Sequence, residues 1–324
     1  MNILVIGLGS MGKRRIRLVH QLYPQYAIIG VDGNEERRRE VTKLGISKVY
    51  DRIEAVLEEN EINAAFVCTS PLAHKHIILQ LLKQDIHVFT ELNLVTDGYQ
   101  EIINHQNQET IAFLSSTLLY RKDIEYVKKR VENQTVNYMY HSGQYLPDWH
   151  PWENYKNFFV GDKRTNGCRE ILAIDLPWIV QCFGKIIDFH VVKSKMTSLD
   201  INYDDNYMIS IQHENGSKGC FFADVVSRKA TRKLEVFSEQ LHIFWEGTPQ
   251  SLYEYDINSK IMQQIETYES INKDNSYCDN IIENAYMEEI KTFFESIKSG
   301  KDISIYDFRD DNEIINLINR IEEE

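Results

Sequence analysis

The 324-residue sequence predicts an α/β protein of two domains, an N-terminal doubly wound parallel sheet and a C-terminal α/β domain with a large, mostly antiparallel open sheet. The length fits two domains of ordinary size better than one. In residues 1–119 short apolar runs alternate with amphipathic stretches, which is typical of parallel strands joined by crossover helices. After Leu119 longer polar–apolar alternations begin, so we expect the second domain to span 120–324.

The elements of the first domain follow in regular order. Apolar runs without alternation predict strands that are buried on both faces, as parallel strands are. They cover 3–6, 27–31, 64–68, 86–89 and 111–114. Helices are expected over 11–22 and over about 72–84. This order predicts the doubly wound arrangement.

The second domain mixes helices with alternating strands. Strands are predicted over 135–144, 186–195, 205–212, 218–225, 232–237 and 241–245. Helices are expected over 124–131 and 169–182, on one face of the sheet. Ile290, Phe293, Phe294 and Ile297 have the i, i+3, i+4, i+7 spacing of a final helix. We expect the last helices to pack back on the first domain.

Composition excludes several classes of protein. Acidic residues number 49 against 36 basic ones, a net charge of −13 that disfavours binding to a phosphate backbone. No segment approaches the ~20 apolar residues that cross a bilayer, and the first ten residues lack the features of a signal peptide. The five cysteines are scattered without C-x-x-C, which indicates a reducing compartment, no disulfide and no metal site. We therefore expect a cytoplasmic protein.

Residues 7–12 form a G-x-G-x-x-G motif between the first strand and the first helix. Gly7 permits the tight turn, Gly9 lets a pyrophosphate approach the backbone, and Gly12 lets helix and strand pack closely. The helix N-terminus at Ser10 and Met11 offers free N–H groups to phosphate oxygens. The pattern predicts a dinucleotide site.

Asp32 ends the second strand, 20 residues beyond Gly12. Its carboxylate can accept hydrogen bonds from ribose hydroxyls and repels a 2′-phosphate, so NAD(H) is expected in preference to NADP(H). The run Arg37, Arg38 and Arg39, flanked by acidic residues, reads as a solvated helix face that would soften this preference. The alternative, a glycine turn without cofactor, is disfavoured because strand, turn, helix and acid are all in register.

Two further segments resemble the glucose–fructose oxidoreductase/inositol dehydrogenase/MocA (Gfo/Idh/MocA) family of oxidoreductases. Residues 68–74, Cys-Thr-Ser-Pro-Leu-Ala-His, are similar to its T-x-P-x-x-H segment, and 87–91, His-Val-Phe-Thr-Glu, to its H-V-x-x-E strand. The helical ending is similar too. The resemblance implies NAD(P)-dependent oxidation or reduction of a sugar-like alcohol. It adds to the cofactor site of Gly7, Gly9, Ser10, Met11, Gly12 and Asp32 the residues Thr69, Ser70, Pro71, His74, Glu91 and Asn93.

The sequence departs from the family where proton transfer is concerned. The family's Glu-Lys-Pro is Glu91-Leu92-Asn93, so the lysine is absent. In its G-x-x-x-D-x-x-x-H motif, counted from Gly167, Ile171 replaces the aspartate and Asp175 the histidine. The candidate bases are then Asp175 first, His150 second and Glu170 third, with a contact that holds Arg169 as the alternative role of Glu170. A salt bridge or a cap near Pro177 is an equal interpretation of Asp175, and Glu170 is about 140° from it around the helix, so the two need not face one pocket.

The aromatic loop 143–159 resembles a branch of the family found in bacterial surface-glycan pathways, which implies a sugar or nucleotide-sugar substrate. Aromatic faces suit pyranose rings, and polar side chains of the loop suit their hydroxyls. We expect substrate contacts from Tyr145, Trp149, His150, Trp152 and Arg169. The alternative, that the aromatic residues tie a long loop to the sheet, is equally open.

The resulting hypothesis is an NAD-dependent oxidoreductase that acts on a sugar or nucleotide-sugar in bacterial glycan biosynthesis. Because Leu92 cannot move a proton, a non-catalytic NAD-binding sensor or scaffold is the alternative. An open sheet with one bare face predicts a homodimer or homotetramer formed through that sheet. The acidic tail, residues 322–324, is expected to be solvated.

Overall fold

The computed structural model describes residues 1–46, 48–105, 110–151, 153–274 and 280–324. The chain divides into two compact units. The first contains Met1–Ser116 and Tyr286–Glu313, and the second contains Thr117–Ala285 and Ile314–Glu324. Among the described residues, none of the helices combines the length and the apolar character that crossing a membrane requires.

The first unit is built on a parallel sheet of six strands, in the order β3-β2-β1-β4-β5-β6. Its strands are β1 Asn2–Ile6, β2 Ala27–Val31, β3 Lys48–Tyr50, β4 Ala64–Val67, β5 His87–Thr90 and β6 Ala112–Leu114. The helices between them are α1 Ser10–Leu22, α2 Glu35–Thr42, α3 Ile53–Glu59, α4 Pro71–Leu82 and α5 Tyr99–His105. The strand order reverses between β1 and β4, and ligands of such sheets bind at the carboxyl ends of the strands flanking that point. The predicted doubly wound fold is confirmed.

The second unit contains a sheet of eight described strands, in the order β14-β13-β12-β11-β7-β10-β9-β8. They are β7 Asn137–Gly143, β8 Ile186–Ser194, β9 Asn206–His213, β10 Lys218–Asp224, β11 Thr231–Phe237, β12 His242–Trp245, β13 Tyr253–Asp256 and β14 Ile261–Gln264. All neighbours are antiparallel except β7 and β10. This confirms the mostly antiparallel open sheet.

Two helices accompany this sheet, α6 Lys122–Val131 and α7 Gly167–Phe183. Strand β7 turns alternate side chains to opposite faces, with Tyr138 and Tyr140 buried and Met139 exposed. The Tyr138 ring stacks on Phe183 of α7 at 4.2 Å, and the Tyr140 ring meets Trp178 edge-on at 5.0 Å. One face of the sheet is therefore covered by α7.

The chain ends in two amphipathic helices, α8 Glu283–Ser299 and α9 Phe308–Glu323. Phe293 of α8 contacts a ladder of three phenylalanines in register on β4, β5 and β6 of the first unit: Phe66, Phe89 and Phe113. All four rings are buried, and deleting one such ring from a core typically costs about 3–5 kcal/mol. The 286–313 segment is thus part of the first unit's core.

Candidate active site

The glycine motif folds as its spacing predicts. Gly7 has φ +88°, and a Cβ there would lie 2.6 Å from the carbonyl oxygen of Cys68, so only glycine fits. A Cβ on Gly12 would lie 1.9 Å from the Gly7 oxygen. At Gly9 a Cβ would meet only Arg37 Nη1, at 3.9 Å, among the described atoms. The backbone at Gly9 is therefore open to the close approach of a ligand.

Helix α1 begins at Ser10, directly after Gly9. In the described part of the chain no side chain caps this end, and its first turn contains no acidic residue. The first N–H groups of a helix lack intrahelical acceptors and carry the positive end of its dipole, so this end attracts an anion. It fits a pyrophosphate held by the backbone of Ser10, Met11 and Gly12.

Asp32 ties the glycine loop to the turn after β2. Its Oδ2 accepts the Leu8 N–H at 2.8 Å, and its Oδ1 accepts the Asn34 N–H at 2.8 Å. Each carboxylate oxygen has a second lone pair, so both retain capacity for the hydroxyls of a ribose.

The basic run on α2 is only partly a solvated face. Arg39 is exposed and pairs with Glu35. Arg38 is half-buried and donates to the Asp32 carbonyl oxygen at 2.6 Å, while Arg37 Nη1 lies 3.8 Å from Asp32 Oδ2. The expectation of a wholly solvated run was wrong, because two of the three side chains turn toward Asp32.

The loop after β4 offers a polar atom to a ligand. The Thr69 hydroxyl oxygen is buried and has no hydrogen-bond partner in the described residues. Ser70 is exposed and is the N-cap residue of α4, but its side chain does not cap the helix in the described structure. Pro71 is the first helical residue. An unsatisfied buried hydroxyl is costly, so a bound dinucleotide that accepts from it would stabilise the loop.

His74 and Asn93 lie behind this loop. Burial lowers the pKa of His74, so the ring is neutral and has one N–H. The single N–H can donate from Nε2 to the Thr69 carbonyl oxygen at 3.0 Å or from Nδ1 to Asn93 Oδ1 at 2.5 Å. Both side chains are 2% exposed. They form the buried support of the Thr69 loop.

Glu91 follows β5 and belongs to a buried charge cluster that the sequence did not reveal. Arg15 donates to both Glu91 oxygens, at 2.6 and 3.1 Å, and to Glu289 at 2.9 Å. Ser115 Oγ donates to the other Glu289 oxygen at 2.8 Å. Burial lowers the pKa of Arg15, but Glu91 and Glu289 more than offset this and leave it above its ordinary value. We refer to Arg15, Glu91, Ser115 and Glu289 as the Arg15 cluster.

One signal could have indicated the Arg15 cluster. Arg15 occupies the apolar stripe of α1, with Met11, Leu18 and Leu22 at helical spacing. A charge on that stripe needs a buried partner. Leu92, beside the cluster, is half-buried and contributes no proton chemistry.

In the second unit, Asp175 is fully buried in α7. Its Oδ1 accepts from the Tyr140 hydroxyl at 2.8 Å and from Trp178 Nε1 at 3.0 Å, and its Oδ2 lies 3.4 Å from Arg232 Nη2. Asp175 was expected to be either a catalytic base or a residue of a salt bridge or cap, and this geometry favours the salt bridge. The carboxylate is occupied by structural contacts.

Glu170 lies on a different face of α7, which it shares with Ile174, and both are half-buried. Its Oε2 exposes less than 1 Å² and has no hydrogen-bond partner in the described residues. Burial raises the pKa of Glu170 to about 8.

Arg169 is committed to the end of the chain. Its guanidinium pairs with Glu322 and donates to Asn319 Oδ1 at 2.6 Å. Asn166, which caps α7, donates to the other Glu322 oxygen at 2.7 Å. The expectation of a solvated tail was wrong for Glu322, which holds the first turn of α7, whereas Glu323 and Glu324 are exposed. A substrate contact from Arg169 would need this arrangement to open.

The aromatic loop packs largely on itself. Trp149 Nε1 donates to the Gln144 carbonyl oxygen at 2.8 Å, and the His150 ring lies 4.3 Å from that of Phe158. Burial lowers the pKa of His150. Tyr145 is half-buried, with the Arg228 guanidinium 4.0 Å above its ring. Trp152 lies outside the described residues. In this conformation the aromatic residues described above pack within the loop, which favours the interpretation that they stabilise it.

Comparison with known proteins agrees with this geometry. Residues 1–111 match the model of the Gfo/Idh/MocA oxidoreductase family, described as having an NAD-binding Rossmann fold. Myo-inositol 2-dehydrogenase of Thermotoga maritima is 25% identical over 334 aligned positions, which cover 93% of this chain and 89% of that enzyme.

Among solved structures, levoglucosan dehydrogenase in complex with NADH and L-sorbose has a TM-score of 0.81 at 15% identity, with coverage of 100% of this chain and 96% of the other. UDP-N-acetylglucosamine 3-dehydrogenase GnnA from Acidithiobacillus ferrooxidans has a TM-score of 0.79 at 16% identity, with coverage of 100% and 97%. At these identities the structures show a shared fold. Over residues 1–111 this chain is similar to the Rossmann domain of the Gfo/Idh/MocA oxidoreductases, a domain that binds NAD.

Proposed function

We propose that this protein is an NAD-dependent oxidoreductase that transfers a hydride to or from a carbinol or ketone carbon of a sugar or nucleotide-sugar. The observation that carries the proposal is the convergence of ligand-ready groups in the first unit. These are the open backbone at Gly9, the N-terminal end of α1, the lone pairs of Asp32 and the Thr69 hydroxyl, which has no hydrogen-bond partner among the described residues. When bound there, NAD⁺ accepts a hydride from a carbinol.

We propose NAD(H) rather than NADP(H) because of the position of Asp32. A 2′-phosphate beside this carboxylate would be repelled, whereas ribose hydroxyls can donate to it. Arg37, 3.8 Å from Asp32 Oδ2, reduces this discrimination without removing it, since its side chain is 43% exposed and screened by solvent.

The substrate class rests on the relatives. The similarity to a myo-inositol dehydrogenase extends over nearly the whole chain, and the fold is shared with enzymes named for levoglucosan and UDP-N-acetylglucosamine. The aromatic loop 143–159 supports a nucleotide-sugar of glycan biosynthesis, because aromatic faces suit sugar rings. Among its rings, that of Tyr145 has the Arg228 guanidinium above it. Substrate contact by Trp149, His150 and Trp152 requires the loop to rearrange.

We propose a homodimer or homotetramer formed through the open sheet. The face opposite α7 presents Met139, Val192 and Met208, which are 50, 53 and 42% exposed on three strands. Exposed apolar side chains on one face of a sheet favour burial against another surface.

A second candidate, an NAD-binding sensor or scaffold without turnover, is favoured by one observation. Leu92 stands in the place of the family lysine, and an alcohol does not ionise near neutral pH without a base.

The test of the proposed function is direct. Pure protein is incubated with NAD⁺ and a panel of sugars, inositols and nucleotide-sugars, and the absorbance of the reduced nicotinamide is followed. Turnover of one polyol class supports the oxidoreductase. Tight NADH binding without turnover of any compound favours the sensor or scaffold.

A further inference from the structure

We infer that the loop after β10, residues 225–230, binds a phosphate group, and that the sugar substrate of this protein therefore carries a phosphate or a diphosphate. The site consists of Arg228 and Lys229, together with Tyr145 near the start of the aromatic loop. The statement about the substrate rests on the proposed function. The phosphate site itself lies wholly within the second unit.

Two neighbouring strands bring the 225–230 loop and the aromatic loop together. Strands β7 and β10 pair in parallel, so their carboxyl ends lie side by side, and the aromatic loop follows one while residues 225–230 follow the other. Backbone hydrogen bonds join the two segments. The Tyr145 N–H donates to the Ser227 carbonyl oxygen at 2.6 Å, and the Leu146 N–H donates to the Val225 carbonyl oxygen at 3.0 Å. The 225–230 loop is therefore fixed beside the base of the aromatic loop.

Asp224, the last residue of β10, holds the 225–230 loop in shape. Its Oδ1 accepts the Val226 and Ser227 N–H groups at 2.8 and 2.7 Å, and its Oδ2 accepts from the Ser227 hydroxyl at 3.0 Å. His141 Nε2 lies 2.6 Å from the same Oδ2. This carboxylate is buried and engaged by four polar groups, which limits its repulsion of an anion on the adjoining residues. A ligand therefore meets a loop that is ordered in advance, which lowers the entropic cost of binding.

Arg228 and Lys229 are exposed cations, and in the described part of the chain neither side chain has a carboxylate partner. Residues 225–230 contain no acidic side chain. Other arginines of the second unit each form an ion pair with an acidic residue: Arg121, Arg130, Arg169 and Arg232. Acidic partners are abundant in a chain with 49 acidic and 36 basic residues, so two adjacent cations kept apart from them form a local positive patch.

Tyr145 supports the Arg228 side chain. The guanidinium carbon lies 4.0 Å from the centroid of the Tyr145 ring, which is within the range of a cation–π contact. This contact restricts the long side chain without using its N–H donors, which lie in the plane of the guanidinium. Two of those donors match two oxygens of a phosphate, and Lys229 adds a second positive charge for a dianion. A carboxylate, with one negative charge, matches only half of this patch.

The position of the patch indicates which substrates can use it. A nucleotide-sugar or a sugar phosphate can bind Arg228 and Lys229 through its phosphate while its sugar ring contacts the aromatic loop, whose rings suit a pyranose. An unphosphorylated sugar or inositol uses neither cation. The phosphate then supplies binding energy at a distance from the reacting carbon.

The test measures binding by calorimetry to protein saturated with NADH, so that the glycine motif cannot take up the probe. The probes are inorganic pyrophosphate, UDP, UDP-N-acetylglucosamine, N-acetylglucosamine 1-phosphate, N-acetylglucosamine and glucuronate. The variant carries Arg228→Met and Lys229→Met. Its matched control is Arg320→Met, because Arg320 is also exposed and lies over an aromatic ring of the second unit, 5.2 Å from the Phe189 centroid.

The wild type and Arg320→Met should bind the phosphate probes more tightly than N-acetylglucosamine and glucuronate. The double variant should bind the phosphate probes about tenfold or more weakly, since it loses hydrogen bonds to a charged group, while its melting temperature matches that of the control. Added salt should weaken phosphate binding in the wild type more than in the double variant. Comparison of N-acetylglucosamine 1-phosphate with UDP-N-acetylglucosamine distinguishes a sugar phosphate from a nucleotide-sugar as the source of the phosphate.

The inference is overturned if the NADH-saturated wild type binds none of the phosphate probes, if the double variant binds them as tightly as the control, or if glucuronate binds as tightly as they do. If the double variant does not fold, Arg228→Lys decides, because it keeps the charge and loses the fork of donors: weaker phosphate binding is expected, and unchanged affinity overturns the site.

Activity separates this inference from the proposed function. A wild type that oxidises only unphosphorylated sugars, with turnover unaffected in the double variant, keeps the proposed function and refutes the phosphate site. Phosphate binding that the double variant loses, without turnover of any sugar by the wild type, supports the phosphate site and refutes the oxidoreductase.

Discussion

Replacing Arg15 with methionine should destabilise the first unit strongly. Arg15 and Glu289 are fully buried, and the Glu91 side chain is 13% exposed. The substitution leaves two carboxylates without their cation. Breaking a buried ion pair by removing one partner costs about 3–5 kcal/mol, and the partial exposure of Glu91 places the expected loss near the lower figure, about 3 kcal/mol.

The loss should depend on pH in a defined direction. Burial raises the pKa of Glu289, and removal of Arg15 takes away a group that opposes this rise. An acid whose pKa is higher in the folded state than the ordinary ~4.3 binds more protons when folded, so stability falls as pH rises above that value. The variant should therefore be closer to wild type at pH 5 than at pH 8.

Thermal unfolding followed by circular dichroism measures both effects. For a unit of roughly 150 residues, about 3 kcal/mol corresponds to a fall in Tm of about 6–12 °C. Arg39→Met, at an exposed arginine, is the matched control and should change Tm little. Adding Glu289→Gln to the Arg15 variant should recover part of the loss. An Arg15→Met variant as stable as wild type at pH 8, or one that Glu289→Gln does not relieve, would refute this reasoning.

Four further predictions concern single side chains. Asp32→Ala should weaken NADH binding by tenfold or more in titration calorimetry, since a hydrogen bond to a charged group is worth about 1.5–3 kcal/mol; equal wild-type affinity for NADH and NADPH would contradict the role of Asp32. His150→Ala should impair sugar turnover with NADH binding intact if the loop contacts substrate, and should lower only Tm if the loop is packing. Asp175→Asn should lower Tm, because it weakens a buried ion pair with Arg232, and a stable but inactive variant would instead indicate a catalytic Asp175. Glu322→Gln should lower Tm by destabilising Arg169 and the start of α7, and a Tm equal to wild type would mean that this contact adds nothing.

The dinucleotide half of the site was predictable because its geometry is local. The tight turn at Gly7, the close packing at Gly12 and the start of α1 at Ser10 follow from neighbours in the chain. Asp32 was also predictable, since only helix α1 and strand β2 separate it from the glycine loop along the chain. The alternation of Tyr138, Met139 and Tyr140 likewise gave the covered and open faces of the second sheet.

The charge pairs were not predictable because they join distant parts of the chain. Arg15 and Glu289 are 274 positions apart, and Arg169 and Glu322 are 153 apart. In a sequence, an acidic residue that is solvated looks the same as one that pairs with a buried arginine. The tail position of Glu322 therefore predicts solvation, although the residue pairs with Arg169. Conversely, helical spacing separates Glu170 from Asp175 around α7, but only the folded structure shows that Asp175 contacts Tyr140, Trp178 and Arg232.

The central claim is hydride transfer between a nicotinamide and a sugar carbon, and isotope transfer tests it most directly. The protein is incubated with NADH that carries deuterium at the transferable position of the nicotinamide, together with a panel of keto-sugars and keto-nucleotide-sugars, and the products are analysed by mass spectrometry. We predict one deuterium on the carbinol carbon of a sugar product, with equal loss from the cofactor. Saturating NADH binding with no deuterium in any sugar product would contradict the account.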